Sequence, residues 1–313
     1  MAGAYDPDVE AYLALVREAG RPAFETLSVD AARAFYRSGR DTVNLPAIDV
    51  GSVEDVCIEG RGGPIPLRLY EPPAGRREPG PAILFFHGGG WVIGDLDTHD
   101  GICRHLVALT GWPLVAVDYR LAPEHAFPAA VEDALDAHGW VVENAGRLNV
   151  RADALVLAGD SAGGCLALVA ALAAPGLGRP PAAGQVLFYP VTDLRGNTGS
   201  YREVVDVPIT ASTMAWFAGH YLSDAAQADD WRASPLLADG LGALSPTFLA
   251  VAGHDPLRDE GLALAGRIRF EGGEVTLRHL PGQVHGYLTV GRVVSEAGRT
   301  LAAAADFLKD LAG

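Results

Sequence analysis

The sequence predicts an α/β protein with one mostly parallel, doubly wound sheet of about eight strands. Short apolar runs recur along the chain, and each is followed by a turn and then by a helical pattern of apolar residues. These runs are apolar throughout rather than alternating, as in strands that helices cover on both faces. The repeated order of strand, turn and helix therefore indicates a layered sheet rather than an all-helical or all-β domain.

The N-terminal region predicts two helices, because apolar residues recur at three- and four-residue spacing in 9–20 and again in 29–41. Ser28 is positioned as the N-cap of the second helix. Two alternating segments follow at 53–60 and 65–72, separated by the sequence GRGGP. This arrangement is typical of a β-hairpin.

The remaining elements alternate between strand and helix. Strands are predicted at 82–86, 113–119, 154–159, 185–190, 246–253 and 274–280. Helices are predicted at 98–110, 128–145, 162–174, 257–270 and 292–312.

The segment 193–232 interrupts this order. It is rich in turn residues, then helical, then polar, and it is too long for an ordinary connection, so we interpret it as an insertion. Together with the N-terminal helices of residues 1–45, it is expected to fold over the carboxyl edge of the sheet as a cap. Residues 46–313, with this insertion, then form the α/β domain that carries the chemistry.

Composition excludes several classes of protein. A formal net charge of −15 argues against nucleic acid as a partner, because binding a polyanion needs patches of lysine and arginine. The same charge disfavours anionic substrates through long-range repulsion. The three cysteines, Cys57, Cys103 and Cys165, lack the paired spacing of a disulfide framework or a zinc site, so no metal is expected.

The chain shows no apolar run of the length that crosses a membrane. Its N-terminus carries acidic residues where a signal peptide would have basic residues and an apolar stretch. We therefore expect a soluble, cytoplasmic protein without stable membrane insertion.

The sequence GDSAGG, residues 159–164, follows one predicted strand and precedes a predicted helix. A G-x-S-x-G in this position is typical of a nucleophile elbow, a sharp turn that exposes the serine oxygen at its tip. The helix that starts just afterwards directs its positive dipole end toward developing negative charge. Ser161 is therefore the candidate nucleophile, although a tight turn built only for packing would show the same small residues.

The sequence HGGGW, residues 87–91, directly follows another predicted strand. Glycines leave backbone N–H groups unshielded, so Gly88, Gly89 and Gly90, with the N–H of Ala162, are the candidate donors of an oxyanion hole. A phosphate-binding loop would require a following Gly-Lys-Ser/Thr, which is absent.

A nucleophilic serine needs a general base, and the base needs an orienting carboxylate. Asp255 lies just past the end of a predicted strand, where the acid of this arrangement is expected. Asp259 and Glu260 fall inside the next helical pattern, which favours solvent pairs or helix caps for them.

Three histidines lie near enough in the chain order to be the base. His285 follows the last predicted strand in a loop that can reach the carboxyl edge of the sheet. His279 lies within that strand, where a structural role is the stronger interpretation, and His254 adjoins the acid. Ser161, Asp255 and His285 are therefore the predicted catalytic triad.

With these residues in place, the sequence resembles the hormone-sensitive lipase family (family IV) of the α/β-hydrolase superfamily, especially its bacterial esterases. The resemblance extends from about residue 50 to the C-terminus. The blocks that carry it are HGGGW (87–91), DYRLAPEHAFPAAVEDA (118–134), GDSAGG (159–164), HDPLRDEG (254–261) and HGY (285–287).

The resemblance implies an α/β-hydrolase fold with a helical cap and hydrolysis of small carboxylic esters without metal or organic cofactor. In this family the DYRLAPE block is mainly structural, which leaves Asp118, Arg120 and Glu124 outside the catalytic set. Family members often dimerise, so a homodimer is expected. A capped cleft suggests short or medium acyl chains as substrates.

Five residues are candidate substrate contacts because they adjoin the motifs or lie on the helix predicted within the insertion. They are Trp91, Asp160, Tyr287, Trp216 and Phe217. For the aromatic residues, ordinary packing in the core or the cap is the competing interpretation.

Two rival functions remain open at this point. An amidase or aryl-formamidase would use the same triad on a C–N bond. A ligand-binding protein that has lost catalysis, like the plant gibberellin receptors of similar fold, would lack the triad histidine, whereas His285 is present here.

Overall fold

A single sheet of eight strands forms the centre of the computed structural model. The structure describes residues 3–73 and 78–312, apart from the side chain of Arg40; residues 1–2, 74–77 and 313 of the predicted ranges lie outside this part. The strands are β1 (Ser52–Gly60), β2 (Gly63–Glu71), β3 (Gly80–Phe86), β4 (Leu114–Val117), β5 (Val150–Asp160), β6 (Gly184–Phe188), β7 (Thr247–His254) and β8 (Val275–Val284).

Across the sheet the strand order is β1, β2, β4, β3, β5, β6, β7, β8. β2 runs antiparallel to both β1 and β4, and every other neighbouring pair is parallel. The predicted eight-stranded, mostly parallel sheet is thus confirmed. Phe86 at the end of β3 pairs with Gly159 near the end of β5, so the loops that follow these two strands start side by side.

The helices confirm the predicted alternation. They are α1 (Pro7–Glu18), α2 (Val29–Val43), α3 (Asp100–Thr110), α4 (Ala129–Glu143), α5 (Ala162–Ala173), α6 (Gly199–Glu203), α7 (Ala211–Tyr221), α8 (Arg258–Phe270) and α9 (Glu296–Ala312). The last helix begins four residues later than the predicted 292–312, because Val293 and Val294 donate their N–H groups back to the Val290 carbonyl in a tight turn.

Helices cover both faces of the sheet, as the continuous apolar strands predict. α3 and α9 pack against each other on one face, and α4, α5 and α8 cover the other. α5 is buried without interruption from Ala162 to Ala171, so it is apolar on all sides. Among the described residues, no helix combines the length and the apolar character that crossing a bilayer requires.

α1 and the residue before it are attached to the end of β8 and to the segment that follows this strand. The Asp6 N–H donates to the Gly282 carbonyl at 3.1 Å, and the Gln283 amide donates to the Asp6 carboxylate at 2.7 Å. Ser295 donates its N–H and its hydroxyl to the Asp8 carboxylate at 2.8 and 2.7 Å. The start of the described chain and its C-terminal region are therefore held together.

α2 is joined to the core through the guanidinium of Arg33. Its two terminal nitrogens donate to the two oxygens of Glu124, both at 2.7 Å. The same side chain donates to the carbonyls of Val92 at 2.9 Å and Ala122 at 3.0 Å. Because a bidentate arginine fixes orientation as well as position, this contact sets where α2 lies above the sheet.

The charged residues of the DYRLAPE block are engaged in local contacts. Arg120 forms an ion pair at 2.8 Å with Asp133, which is fully buried at the start of α4. Asp118 lies 4.0 Å from the ring of His87. With the Glu124 contact to α2, these interactions agree with the structural role that the resemblance implies.

His138 lies in α4 with only 1% of its surface exposed, and its Nδ1 atom has no hydrogen-bond partner among the described residues. Burial, and secondarily the positive charge of Arg179, lower the pKa of His138 to about 4. An unfolded histidine titrates near 6.5. Between these values the unfolded chain holds a proton that the native protein lacks, so native stability falls as the pH falls from about 6.5 toward 4.

We therefore expect His138→Gln to flatten the acid side of the stability profile. Between about pH 7 and about pH 5, the variant should lose roughly 2 kcal/mol less free energy of unfolding than the wild type. Urea unfolding at both pH values measures this difference, with the exposed His125→Gln variant as control. An unchanged slope in His138→Gln would show that this histidine does not stay neutral in the native state.

Candidate active site

The strand order brings four loops together at the carboxyl edge of the sheet. HGGGW (87–91) follows β3, and GDSAGG (159–164) spans the end of β5 and the start of α5. Asp255 follows β7, and His285 follows β8. Ligand sites of open α/β sheets lie at this edge, so the fold alone places these residues where chemistry is expected.

The three predicted triad side chains form one hydrogen-bonded chain. The His285 Nδ1 atom lies 2.7 Å from an Asp255 carboxylate oxygen, and its Nε2 atom lies 2.9 Å from the Ser161 hydroxyl oxygen. With Nδ1–H donating to the carboxylate, Nε2 is left to accept the serine proton. Asp255 is fully buried, whereas Ser161 and the His285 side chain each keep 7% of their surface exposed.

Ser161 lies at a sharp turn between β5 and α5. Its backbone has φ 53° and ψ −119°, a region that non-glycine residues rarely occupy. The Ser161 N–H donates to the Phe188 carbonyl at 2.9 Å and helps to hold this conformation. Gly163 must be small, because a Cβ atom there would overlap the Phe86 carbonyl oxygen at the end of β3.

The Asp255 carboxylate is held in place by a neighbouring backbone N–H group. One Asp255 oxygen accepts the N–H of Leu257 at 2.8 Å, which leaves the other oxygen for His285. The competing carboxylates lie elsewhere: Asp259 pairs with Arg258 at 2.8 Å, and Glu260 accepts the N–H of Thr192 at 2.7 Å. Burial raises the pKa of Glu260 well above its usual range.

The two alternative histidines, His254 and His279, lie away from the serine and contact other residues. The His254 ring packs at a tilt against the Tyr5 ring, with centroids 3.9 Å apart. His279 lies in the middle of β8, opposite Val251 of β7. Of the three histidines considered, the structure brings only His285 to the serine.

Gly88, the first glycine of the HGGGW loop, is anchored to the protein, so not every N–H group of this loop is free to bind substrate. The Gly88 N–H donates to an Asp160 oxygen at 2.8 Å and lies 3.3 Å from the Nε2 atom of His99. This N–H is thus committed to the protein, which corrects the expectation that Gly88 donates to an oxyanion. No described residue accepts the N–H of Gly89 or Gly90.

Gly89 and Gly90 have φ values of +121° and +57°, a region that favours glycine. A Cβ atom on Gly90 would overlap the ring of Phe217 in α7. A side chain at Gly89 would overlap the Ile93 carbonyl. Both glycines are therefore required for the loop to lie in this position.

Sequence reasoning missed the buried polar groups behind the glycine loop. His99 is 2% exposed and lies 3.2 Å from the Asp160 carboxylate. The Tyr119 hydroxyl donates to the His87 carbonyl at 2.7 Å, and its ring stacks on the His87 ring at 4.3 Å. Burial lowers the pKa of His87 to about 4. His87 and Tyr119 lie within the quoted HGGGW and DYRLAPE blocks, whereas His99 lies in none of the motifs.

The serine opens into a cavity of about 490 Å³. Ser161, His285, Gly89 and Gly90 lie on one part of its wall. Two segments predicted to form a cap supply much of the rest. The N-terminal helices and their linker contribute the lining residues Tyr12, Leu13, Val16, Phe24, Phe35 and Tyr36. The insertion contributes Val207, Pro208, Ile209, Met214 and Phe217.

The five candidate substrate contacts divide into two groups. Phe217 and Asp160 line the cavity. Trp91 and Tyr287 do not line it. They are fully buried in the protein, Trp91 stacked on Tyr221 at 4.1 Å and Tyr287 hydrogen-bonded to Thr300 at 3.0 Å.

Trp216 is the remaining candidate and also lies outside the cavity wall, with its ring against the edge of Phe217 at 5.2 Å. For three of the four aromatic candidates, packing is thus the role that the structure shows. Within the described residues, no group of three or more histidine, cysteine or acidic side chains is arranged to hold a metal ion.

Comparison with known proteins agrees with this geometry. A family model described as alpha/beta hydrolase fold matches residues 83–289. The chain is 38% identical to ethyl acetate hydrolase of Pseudomonas putida over 95% of this chain and 96% of that protein. It is 40% identical to the carboxylic ester hydrolase LipN of Mycobacterium tuberculosis, over 91% of this chain and 77% of that one.

Among solved structures, an ester hydrolase from the metagenome of Lake Arreo, complexed with a bipyridine phosphonate derivative, superposes with a TM-score of 0.93. The two chains are 34% identical, and the match covers 98% of each. The chain therefore belongs to the α/β-hydrolase superfamily, within its hormone-sensitive lipase-like family of esterases.

Proposed function

We propose that this enzyme hydrolyses carboxylic esters with short to medium acyl chains through an acyl-enzyme intermediate on Ser161. The observation that carries the proposal is the unbroken hydrogen-bonded chain from Asp255 through His285 to Ser161, which opens into the cavity. A serine hydroxyl is a weak nucleophile on its own, and an adjacent base that is itself oriented activates it.

In the first step, the Ser161 oxygen attacks the ester carbonyl while the His285 Nε2 atom takes its proton. The Nδ1–H bond to Asp255 holds the imidazole in the required tautomer and stabilises the cation that forms. His285 then gives the proton to the leaving alcohol, and the acyl group remains on the serine.

The negative charge that develops on the carbonyl oxygen needs backbone donors. The N–H groups of Gly89 and Gly90, without an acceptor among the described residues, and that of Ala162 at the start of α5 are suited to this role. The loss of one such donor typically costs roughly 3–4 kcal/mol in the transition state. Gly88 supports the loop through Asp160 instead of donating to substrate.

Deacylation repeats these steps with water. His285 removes a proton from the water as it attacks the acyl carbonyl, and returns that proton to Ser161 as the acid product leaves. No step requires a metal or an organic cofactor.

The cavity supports the chain-length part of the proposal. Its volume of about 490 Å³ lies within the usual range for small-molecule sites, and much of its wall is apolar. The walls close around the serine from both predicted cap segments. A short or medium acyl chain fits such an enclosed space better than a long one.

We expect hydrolysis of p-nitrophenyl esters to be fastest for short to medium acyl groups and to fall steeply for long ones. Ser161→Ala should reduce the rate by at least about four orders of magnitude, because the nucleophile is removed. The exposed Ser223→Ala variant is the matched control. A stopped-flow burst of p-nitrophenol would report the acyl-enzyme.

Hydrolysis of the corresponding anilides but not of the esters would assign an amidase instead. Binding of the esters without any turnover would support a ligand-binding protein. Full activity of Ser161→Ala would contradict the triad.

We also expect Asp160→Ala to lower kcat on the order of tenfold or more with little change in KM, because the Gly88 anchor of the glycine loop is lost. Asp160→Asn keeps an acceptor oxygen and should retain a larger part of kcat. Steady-state kinetics with a thermal unfolding scan separate this effect from loss of fold. Wild-type kcat in both variants would show that the anchor does not position the donors.

A further inference from the structure

Two arginines stand out on the largely apolar wall of the active-site cavity. Arg17 in the last turn of α1 and Arg21 just after that helix both line the cavity that contains Ser161. Arg17 is exposed, whereas Arg21 is half-buried. The mechanism proposed above uses neither side chain.

Neither arginine forms an ion pair with a described carboxylate, although many arginines of this acidic chain do. The Arg21 guanidinium lies over the Phe35 ring, 5.1 Å from its centroid. It is also close to Tyr12, where burial raises the pKa of the phenol, and both the Arg21 charge and a hydrogen bond from Arg21 oppose that rise. Arg21 is thus held by aromatic neighbours while its hydrogen-bonding edge remains without an anionic partner.

Two acidic residues, Asp160 and Asp206, also line the cavity and contribute negative charge to its wall. Asp160 is already engaged by the Gly88 N–H and by His99. Asp206 lies at the exposed edge of the cavity, and its charge and that of Arg17 have opposite effects on the pKa of the nearby Tyr5. Neither acid forms an ion pair with Arg17 or Arg21, so the positive charge of both guanidinium groups is left for an anionic ligand to compensate.

A neutral substrate would desolvate the Arg21 guanidinium without compensating its charge, which is unfavourable. A carboxylate would instead accept a two-pronged, charge-assisted hydrogen bond from it. The repulsion expected from the net charge of −15 acts over long distances and is screened within about 8 Å at physiological salt, so the local arginines govern binding inside the cavity.

We propose that the preferred substrates are esters that carry a carboxylate at the end remote from the scissile bond, and that Arg21, supported by Arg17, binds this carboxylate. This inference rests on ester hydrolysis at Ser161 and adds the substrate class. It places an anion-binding position on the N-terminal part of the cavity wall, away from the groups that perform the chemistry.

The test compares matched methyl esters that differ only in the remote group. Monomethyl succinate, adipate and suberate carry a carboxylate, and the corresponding monoamides carry a neutral carboxamide of the same shape. We expect wild-type kcat/KM to be on the order of tenfold higher for the carboxylate of the best-fitting length, in line with the value of a charge-assisted hydrogen bond. Added salt should reduce this preference.

Arg21→Gln should abolish the preference, because kcat/KM should fall on the order of tenfold for the carboxylate ester and by clearly less for the carboxamide ester. Arg21→Lys should keep part of the preference because the charge remains. Arg17→Gln should weaken it less, since Arg17 is more exposed. The matched control is Arg147→Gln, which removes another arginine that lies over an aromatic ring, 5.0 Å from the Trp140 centroid, and that lines none of the described cavities.

The outcomes separate this inference from the proposed function. Equal rates for carboxylate and carboxamide esters, or a preference that survives Arg21→Gln in a folded variant, would overturn the inference and leave the esterase intact. Failure to hydrolyse either series or any p-nitrophenyl ester would overturn the proposed function, and the inference with it.

Discussion

The close approach of the nucleophile turn to the end of β3 is the constraint on which the rest of the site depends. A side chain at Gly159 or Gly163 would overlap the Phe86 carbonyl, so the start of α5 can lie against this strand only because both residues are glycine. That proximity places Asp160 where it accepts the Gly88 N–H. The serine and the glycine loop are consequently built as one unit rather than as two independent motifs.

Much of this architecture could be predicted from the sequence. Apolar runs mark where strands begin and end in the chain, so the expectation that Ser161, Asp255 and His285 lie at one sheet edge followed from the positions of the strand ends. The glycines of the HGGGW block indicated an open loop. These features depend on local pattern, which a single sequence records well.

What the sequence could not supply depends on packing between distant segments. Trp91 adjoins the glycine loop in the chain, yet it stacks on Tyr221 in the core, 130 positions later, so adjacency in sequence was misleading. The Gly88 N–H appeared free because its acceptor lies on another strand. His99 carried no motif at all. The division into cap and catalytic domain, the cytoplasmic location and the homodimer remain predictions.

The attachment of α1 to β8 has a consequence for how the enzyme folds. The contacts that hold α1 in place join residues that are far apart in the chain: 277 positions separate Asp6 from Gln283, and 287 separate Asp8 from Ser295. Closing so long a loop costs conformational entropy, so α1 gains its position only once β8, which carries Gly282 and Gln283, has joined the sheet. β8 also leads directly to His285, so the position of α1 on the cavity wall and the position of the base depend on the same strand.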